Sequence, residues 1–396
     1  MDRTAPALQV ALDPSDPVGF TTALDEEERQ VQATVRRFVS ERFLPTVGTA
    51  FEEGSFDLSI AEELGSMGLL GMHLKGYGCA GTSAVAYGLA CAELEAGDSG
   101  LRSFASVQGS LAMFAIYRYG TEEQRERYLP LMARGQLIGC FGLTEADSGS
   151  DPASMRTTAK RDGDDWVING SKMWITNGSV AHVAIVWART EDGVRGFLVD
   201  RDTPGFVARD IPHKMSLRAS ITSELLFEEC RVPASARLPD AAGLSAPLSC
   251  LNEARFGILW GVTGAARACY EAALAYAGDR EQFGRPISGF QLTQRKLSDM
   301  AIQLGGAQLL ALHLGRRKDR EGLAAEHVSI GKAANCRVAS DVARVARSVL
   351  GANGISLEYP VIRHMLNLES VATYEGTDEI HTLSIGRAIT GLNAFS

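Results

Sequence analysis

The sequence lacks the marks of several large classes of protein. None of its 396 residues fall in an apolar run long enough to cross a membrane. It is short of positive charge, with 39 Lys and Arg against 48 Asp and Glu and a net charge of −9, where a nucleic-acid binder would carry a basic face. The seven cysteines (Cys79, Cys91, Cys140, Cys230, Cys250, Cys269 and Cys336) form no CxxC pair, so neither a zinc site nor a disulfide framework is expected, and a reduced compartment fits. The histidines, His73, His182, His213 and His364 among them, show no metal-ligand spacing. There is no GxGxxG after a strand and no GxxxxGK[ST], which removes the Rossmann and P-loop readings. Low-complexity tracts and short repeats are absent. The first twenty residues include Asp2, Asp13 and Asp16 without a long apolar stretch. They read as neither a secretory signal nor a transit peptide, and a cytoplasmic location is expected.

What is present is a soluble globular balance, 45% hydrophobic and 22% charged, in a chain long enough for two or three domains. Residues 1–22, with Pro6, Pro14 and Pro17, read as a mobile arm. Residues 23–138 read as all-helical. A helix starts at Asp25, buries Val31, Val35, Phe38 and Val39 along one face and ends at Pro45. Further helices are predicted over 58–70, 82–97 and 103–118. Another opens at Thr121, with Gln124 three residues on as a capping box. Residues 139–245 change character: Gly, Ser, Thr and Asp are frequent, and short β-type runs appear at 166–168, 183–187, 196–199 and 224–227. Asn169-Gly170 is a tight-turn signal, and the block reads as a small antiparallel sheet or barrel. Residues 246–396 return to helical period over 250–279, 290–318 and 324–349. Gly284-Arg285-Pro286 stops the first helix and Gly351 and Gly354 close the third, the pattern of an antiparallel bundle.

Five stretches could carry chemistry. In Tyr374-Glu375-Gly376-Thr377-Asp378, a carboxylate stands between an aromatic residue and a glycine at the entry to a helix carrying Ile380, Leu383 and Ile385. Partial burial would raise its pKa and suit it to act as a base; otherwise it supports the cap. The loop Phe141–Pro152 offers glycines, hydroxyls and free backbone N–H groups, as a phosphate site or a plain solvated turn. Trp174 beside Thr176 could stack on a flat ring or fill a core. Arg102 follows a glycine-rich break and enters an apolar helix, so it needs an anion: Glu95, or a substrate carboxylate. Arg280, at the end of a long helix, could complement the helix C-terminus or meet a phosphate.

Taken together, the α–β–α order with Phe141–Pro152, Trp174–Asn177, Arg280–Gly284, Leu350–Gly354 and Tyr374–Thr377 resembles the acyl-CoA dehydrogenase family from about residue 20 to Phe395. Within it the likeness is to the glutaryl-CoA dehydrogenases, through Arg102-Ser103 with Ser106–Gln108, Leu217–Ser220, Leu251–Arg255 and Tyr374–Gly391. The resemblance implies an α+β fold: an N-terminal helical domain, a middle β-barrel or sheet domain and a C-terminal four-helix bundle. It implies FAD, held by Phe141, Leu143, Thr144, Gly149 and Ser150, by Trp174, Ile175 and Thr176, and by Thr377 and Phe395. Arg280, Phe283, Gln291, Gly351 and Ala352 match positions that reach the FAD of a neighbouring subunit in a homotetramer; many relatives carry a glycine where this chain has Ala352. Glu375 matches the catalytic base. Leu248, Asn252, Arg255, Tyr374 and Gly376 match substrate-lining positions, with Ser150 near CoA and Glu95, Arg102 and Ser103 around the distal carboxylate. The implied activity is oxidative decarboxylation of glutaryl-CoA to crotonyl-CoA, as in lysine and tryptophan degradation, with an electron-transfer flavoprotein as acceptor. A non-decarboxylating dehydrogenase, an oxidase for another acyl-CoA and a flavin-free scaffold are the alternatives.

Overall fold

The computed structural model describes residues 12–394. Residues 1–11 of the expected arm, and Phe395, lie outside them. Within the remainder of that arm, Phe20 is buried and packs edge-on against Trp260, with ring centroids 6.4 Å apart. Helix α1 (Glu26–Phe38) starts in a capping box of Asp25 and Glu28. It does not end at Pro45: the ladder widens into a π turn over Val39–Phe43 and continues as α2 (Leu44–Glu53), with Pro45 in the first turn. The widened turn just ahead of it is where the ladder tolerates a residue that has no N–H to donate. The helix expected over 58–70 is only α3 (Ile60–Ser66). Helix α4 (Ala84–Gly97) is buried almost all round, and α5 (Ser99–Ser106) leaves it at a sharp break. Asp98 makes the break: its backbone is extended, and its side chain accepts from Gly100 N at 2.6 Å as the N-cap of α5. A π turn over Val107–Met113 joins α5 to α6 (Phe114–Tyr119), and α7 (Glu122–Ala133) carries the Thr121–Gln124 capping box.

The middle region is one seven-stranded sheet. Its strands are β1 (Gly139–Gly142), β2 (Thr158–Asp162), β3 (Asp165–Thr176), β4 (Val183–Thr190), β5 (Gly193–Asp200), β6 (Phe206–Asp210) and β7 (Thr222–Pro233). They run in the order β1-β4-β2-β3-β7-β6, with β5 paired to β4. The sheet is mixed rather than wholly antiparallel, because β4 pairs parallel with both β1 and β2. Asn169-Gly170 is not a turn. It lies inside β3 at a register shift against β7, and the hairpin between β2 and β3 closes at Gly163-Asp164. Gly170 is needed there for closeness, since a Cβ would meet Thr157 Oγ1 at 2.6 Å.

The C-terminal bundle comprises α8 (Ser245–Asp279), α9 (Gln291–Glu321), α10 (Ala325–Val349), α11 (Pro360–Thr373) and α12 (Asp378–Thr390). Helix α8 already ends at Asp279; Gly284-Arg285-Pro286 belongs to a short hairpin, Glu281–Gln282 against Arg285–Pro286, that leads to α9. In α12 the fully buried residue is His381, while Ile380, Leu383 and Ile385 are half-buried.

Two features position the site. The first is a glycine stripe on α8 that brings α4 very close. A Cβ on Gly264 would lie 1.7 Å from Ala92 O, one on Gly261 2.1 Å from Glu95 Oε2, and one on Gly257 2.7 Å from the Tyr87 hydroxyl. The second joins all three regions beside α5. Asp98 accepts from Arg363 Nη1 at 2.5 Å and Asn367 Nδ2 at 2.8 Å, and Asn367 Oδ1 accepts from Leu217 N at 2.7 Å. Arg218 then reaches Phe51 O at 2.7 Å. Leu217 takes a left-handed φ of 51° to make this turn.

Gly264→Ala forces a methyl group into a backbone carbonyl. It is expected to cost about 3 kcal/mol of stability, read as a lower denaturant midpoint; Gly278→Ala, where a Cβ meets nothing within 4 Å, is the control and should change little.

Candidate active site

The residues between α11 and α12 form the centre of the site. Thr377 Oγ1 caps α12 by accepting from Ile380 N at 3.3 Å. Glu375 and Gly376 are both left-handed, with φ of 55° and 100°. A Cβ on Gly376 would press to 2.9 Å from His381 Nε2 and 3.2 Å from Arg255 Nη2, so the position calls for glycine. Lys332 Nζ, from α10, donates to Tyr374 O at 2.5 Å and Gly376 O at 2.6 Å, and Arg255 Nε donates to Glu375 O at 2.6 Å. The Glu375 Oε2 atom is enclosed and has no hydrogen-bond partner among the described residues. Burial pushes the Glu375 carboxyl above its usual pKa, against the pull of Arg102, Lys332 and Arg255 and with a push from Glu95. Burial also brings Lys332 down to about 8, which leaves it mostly protonated at neutral pH.

Arg102 reaches the same site from α5. It is 1% exposed, and its Nε donates to Glu95 Oε2 at 2.6 Å across the α4–α5 break. Ser99 Oγ holds the other Glu95 oxygen at 2.8 Å. Arg102 Nη2 donates to the Tyr374 hydroxyl, which Ser103 Oγ meets at 3.0 Å. Nη1 has no partner among the described residues. Burial works against the guanidinium's charge, but Glu95 and Tyr374 outweigh it and the group stays protonated. The charged groups acting most strongly on Glu375 are Arg102, Lys332 and Arg255 with Glu95. Counting Glu375, three cations face two carboxylates, one positive charge in excess. Leu248 and Asn252 share the face of α8 that carries Arg255, and Asn252 Oδ1 accepts from Arg255 Nη1 at 3.2 Å.

The residues matched to a flavin fall into two groups. Phe141, Leu143 and Ile175 are buried, Thr144 and Thr176 half-buried, and Gly149 and Ser150 exposed at the sheet's loop end. Trp174 is 58% exposed on a left-handed backbone, φ 64°. The loop is tied to β3 by Met173 N donating to Thr144 O at 2.9 Å and by the buried Lys172–Glu145 ion pair at 2.8 Å. Glu145 also accepts from Arg156 N at 2.6 Å and Thr157 N at 3.0 Å. The second group, Arg280, Phe283, Gln291, Gly351 and Ala352, is exposed. Arg280 and Asn353 line one recess with Tyr276, Asp279 and Tyr359. It lies roughly 37 Å along α8 from Arg255 at 1.5 Å per residue, so it does not adjoin the Glu375 pocket of the same chain. Thr377 stands beside Glu375.

Lys332, Glu145, Lys172 and Asp98 do not emerge as site residues from sequence reasoning. A signal existed for Lys332: it falls in phase with Val328, Cys336 and Ala339 on the buried face of α10. A lysine there must find a partner inside. No group of three or more His, Cys, Asp or Glu able to hold a metal occurs among the described residues, and no helix among them is long and apolar enough to cross a membrane.

Three models describing the acyl-CoA dehydrogenase N-terminal, middle and C-terminal domains match residues 25–136, 140–230 and 241–390. The chain is similar to a glutaryl-CoA dehydrogenase structure from Mycobacterium smegmatis, with 62% identity, a TM-score of 0.96, and 97% of this chain and 100% of that one covered. A second structure of such an enzyme from that organism, in complex with FADH2, gives 59% identity with the same TM-score and coverage. The human mitochondrial short-chain specific acyl-CoA dehydrogenase is 33% identical over 369 residues, 91% of this chain and 90% of its own.

Glu95→Gln leaves a buried guanidinium without its carboxylate and is expected to cost about 3 kcal/mol. Pairing it with Arg102→Met should recover most of that loss in a denaturant titration.

Proposed function

The chain belongs to the acyl-CoA dehydrogenase family, and from that membership we propose that it oxidises glutaryl-CoA with FAD as cofactor and releases the distal carboxyl group as CO2, leaving crotonyl-CoA. The observation that carries the substrate is the Arg102 guanidinium. It is buried, it keeps one nitrogen unpartnered, and it lies in a pocket with one positive charge in excess. A distal carboxylate satisfies both the nitrogen and the charge.

The residues present fit FAD. A large indole held exposed on a left-handed backbone is costly unless a flat partner covers it, and the adjoining loop at Gly149 has open space where a Cβ would be. FAD, held by Trp174, Thr176 and the Phe141–Ser150 loop, would supply the two-electron acceptor for the hydride lost from the substrate β carbon.

Glu375 takes the α proton. The thioester oxygen must be polarised for this, and in this reading the N–H of Glu375 donates to it; one such donor is worth about 3 kcal/mol. The raised pKa makes Glu375 a stronger base than a surface carboxylate. Arg102, Ser103 and Tyr374 hold the far end of the acyl chain, and Leu248 and Asn252 line it along α8. Once the α,β double bond exists, the γ-carboxylate is vinylogous to the thioester. Its C–C bond breaks, the electron pair passes into the dienolate, CO2 leaves and a proton returns to the γ carbon.

The exposed group around Arg280 is too far from its own pocket to serve it, which supports a homotetramer in which Arg280, Phe283, Gln291, Gly351 and Ala352 reach the FAD of a neighbouring subunit. An electron-transfer flavoprotein is the proposed acceptor. The seven cysteines are all free thiols, in keeping with a cytoplasmic enzyme.

Glu375→Gln should retain FAD and lose about three orders of magnitude in turnover; substantial residual activity would remove Glu375 as the base. Arg102→Gln should lower kcat/KM for glutaryl-CoA by about 10- to 100-fold, the worth of a charged hydrogen bond, and that for butyryl-CoA far less. Equal losses would remove the substrate reading. Activity requires ionised Glu375, whose pKa lies above the usual carboxylate value, so kcat/KM should rise with pH through a limb displaced upward from the ordinary glutamate range. Anaerobic titration with glutaryl-CoA should bleach the flavin and release CO2; bleaching without CO2 would leave a non-decarboxylating dehydrogenase.

A further inference from the structure

We infer that Lys332 is a positioning residue for the catalytic base, one ammonium that pins the peptide groups on both sides of Glu375 and so keeps its carboxylate inside the pocket. The inference rests on Glu375 being the base.

The loop has little else to hold it. Helix α11 ends at Thr373 and α12 begins at Asp378. Two left-handed residues in succession, Glu375 and Gly376, turn the intervening chain inward, and for a glutamate that conformation is strained. The turn aims three consecutive carbonyl oxygens at the interior. Each meets a cation: Tyr374 O and Gly376 O meet Lys332 at 2.5 and 2.6 Å, and Glu375 O meets Arg255 at 2.6 Å. Lys332 is itself 1% exposed, so its ammonium depends on these oxygens as they depend on it. Its Nζ also stands 5.9 Å from the centre of the Tyr374 ring, whose hydroxyl touches Arg102. The lysine thereby connects the base to the residues around the distal carboxylate. It contacts backbone and not the Glu375 carboxylate, so it acts through the loop's conformation and through its charge.

The groups facing Glu375 are Arg102 and Glu95 from the α4–α5 break, Arg255 from α8 and Lys332 from α10, with Tyr374 beside it. From α12, His381 stands against Gly376, and Asp378 is paired with Arg337 at 2.8 Å. Removing Lys332 deletes one of three cations and leaves both carboxylates.

The test uses the FAD-loaded full chain as wild type, Lys332→Met and Lys332→Arg. Lys332→Met should lower kcat for glutaryl-CoA and butyryl-CoA alike by about 100-fold, the loss of two charged hydrogen bonds, with KM within about twofold. The acidic limb of kcat/KM should move up by about one pH unit. Amide hydrogen exchange in a peptide spanning 371–380 should speed by at least about tenfold, while FAD content stays that of the wild type. Lys332→Arg should restore part of the rate and most of the exchange protection. Wild-type kcat and pH limb in Lys332→Met would overturn the inference. So would a loss confined to FAD content and thermal stability, which is what a merely structural lysine gives. If the wild type turns over no acyl-CoA, the proposed function has failed; the exchange difference alone then shows whether Lys332 holds the loop, and its absence would overturn the hold as well.

Discussion

A guanidinium cannot be buried alone. The ion pair between Arg102 and Glu95 is almost fully removed from solvent, and such a pair persists only where geometry and additional hydrogen bonds offset the desolvation of both charges. Much of the architecture meets that requirement. The glycine at 261 leaves room for the Glu95 carboxylate against α8, and Gly264 lets the two helices approach closely enough to keep water out. Ser99 satisfies the second carboxylate oxygen, and Asp98 turns the chain between the partners. The pair consumes only part of Arg102's donor capacity, and the remainder is what a substrate could use.

The proposed division of labour follows from this. One end of the acyl chain meets a fixed cation, and the thioester end meets a carboxylate made more basic by burial. Both are carried on or beside helices, and Tyr374 touches the first while adjoining the second in sequence. Displacement at either end is therefore felt at the other, as expected of a site in which alignment carries much of the chemistry.

Much of this was legible in the sequence. The helix start at Thr121 announced itself by a capping box, and the helix after Asp25 and the long helices after residue 245 by their period. Glu375 and Arg102 were visible because a loop carboxylate and an arginine entering an apolar helix each break a local pattern. What could not be read came from contacts distant in sequence. Asn169-Gly170 looks like a turn, yet the partner strand β7 and Thr157 convert it into a bulge inside a strand. Pro45 looks like a terminator, yet the π turn ahead of it carries the helix through. Lys332 has no motif at all; its role appears only when α10 is laid against the Tyr374–Gly376 carbonyls, 42 to 44 residues further on.

The junction at Asp98 has a consequence for the chain as a whole. Arg363 and Asn367 come from the C-terminal bundle, Leu217 and Arg218 from the middle sheet region, and Phe51 and Asp98 from the N-terminal helices. All meet within one turn of the helix that carries Arg102. Family models divide the sequence into three, but cooperativity does not follow that division. A fragment cut at either boundary would lose partners of this junction and carry buried polar groups into solvent or leave them orphaned. The three regions are therefore tied to one another by buried hydrogen bonds as well as by the covalent chain.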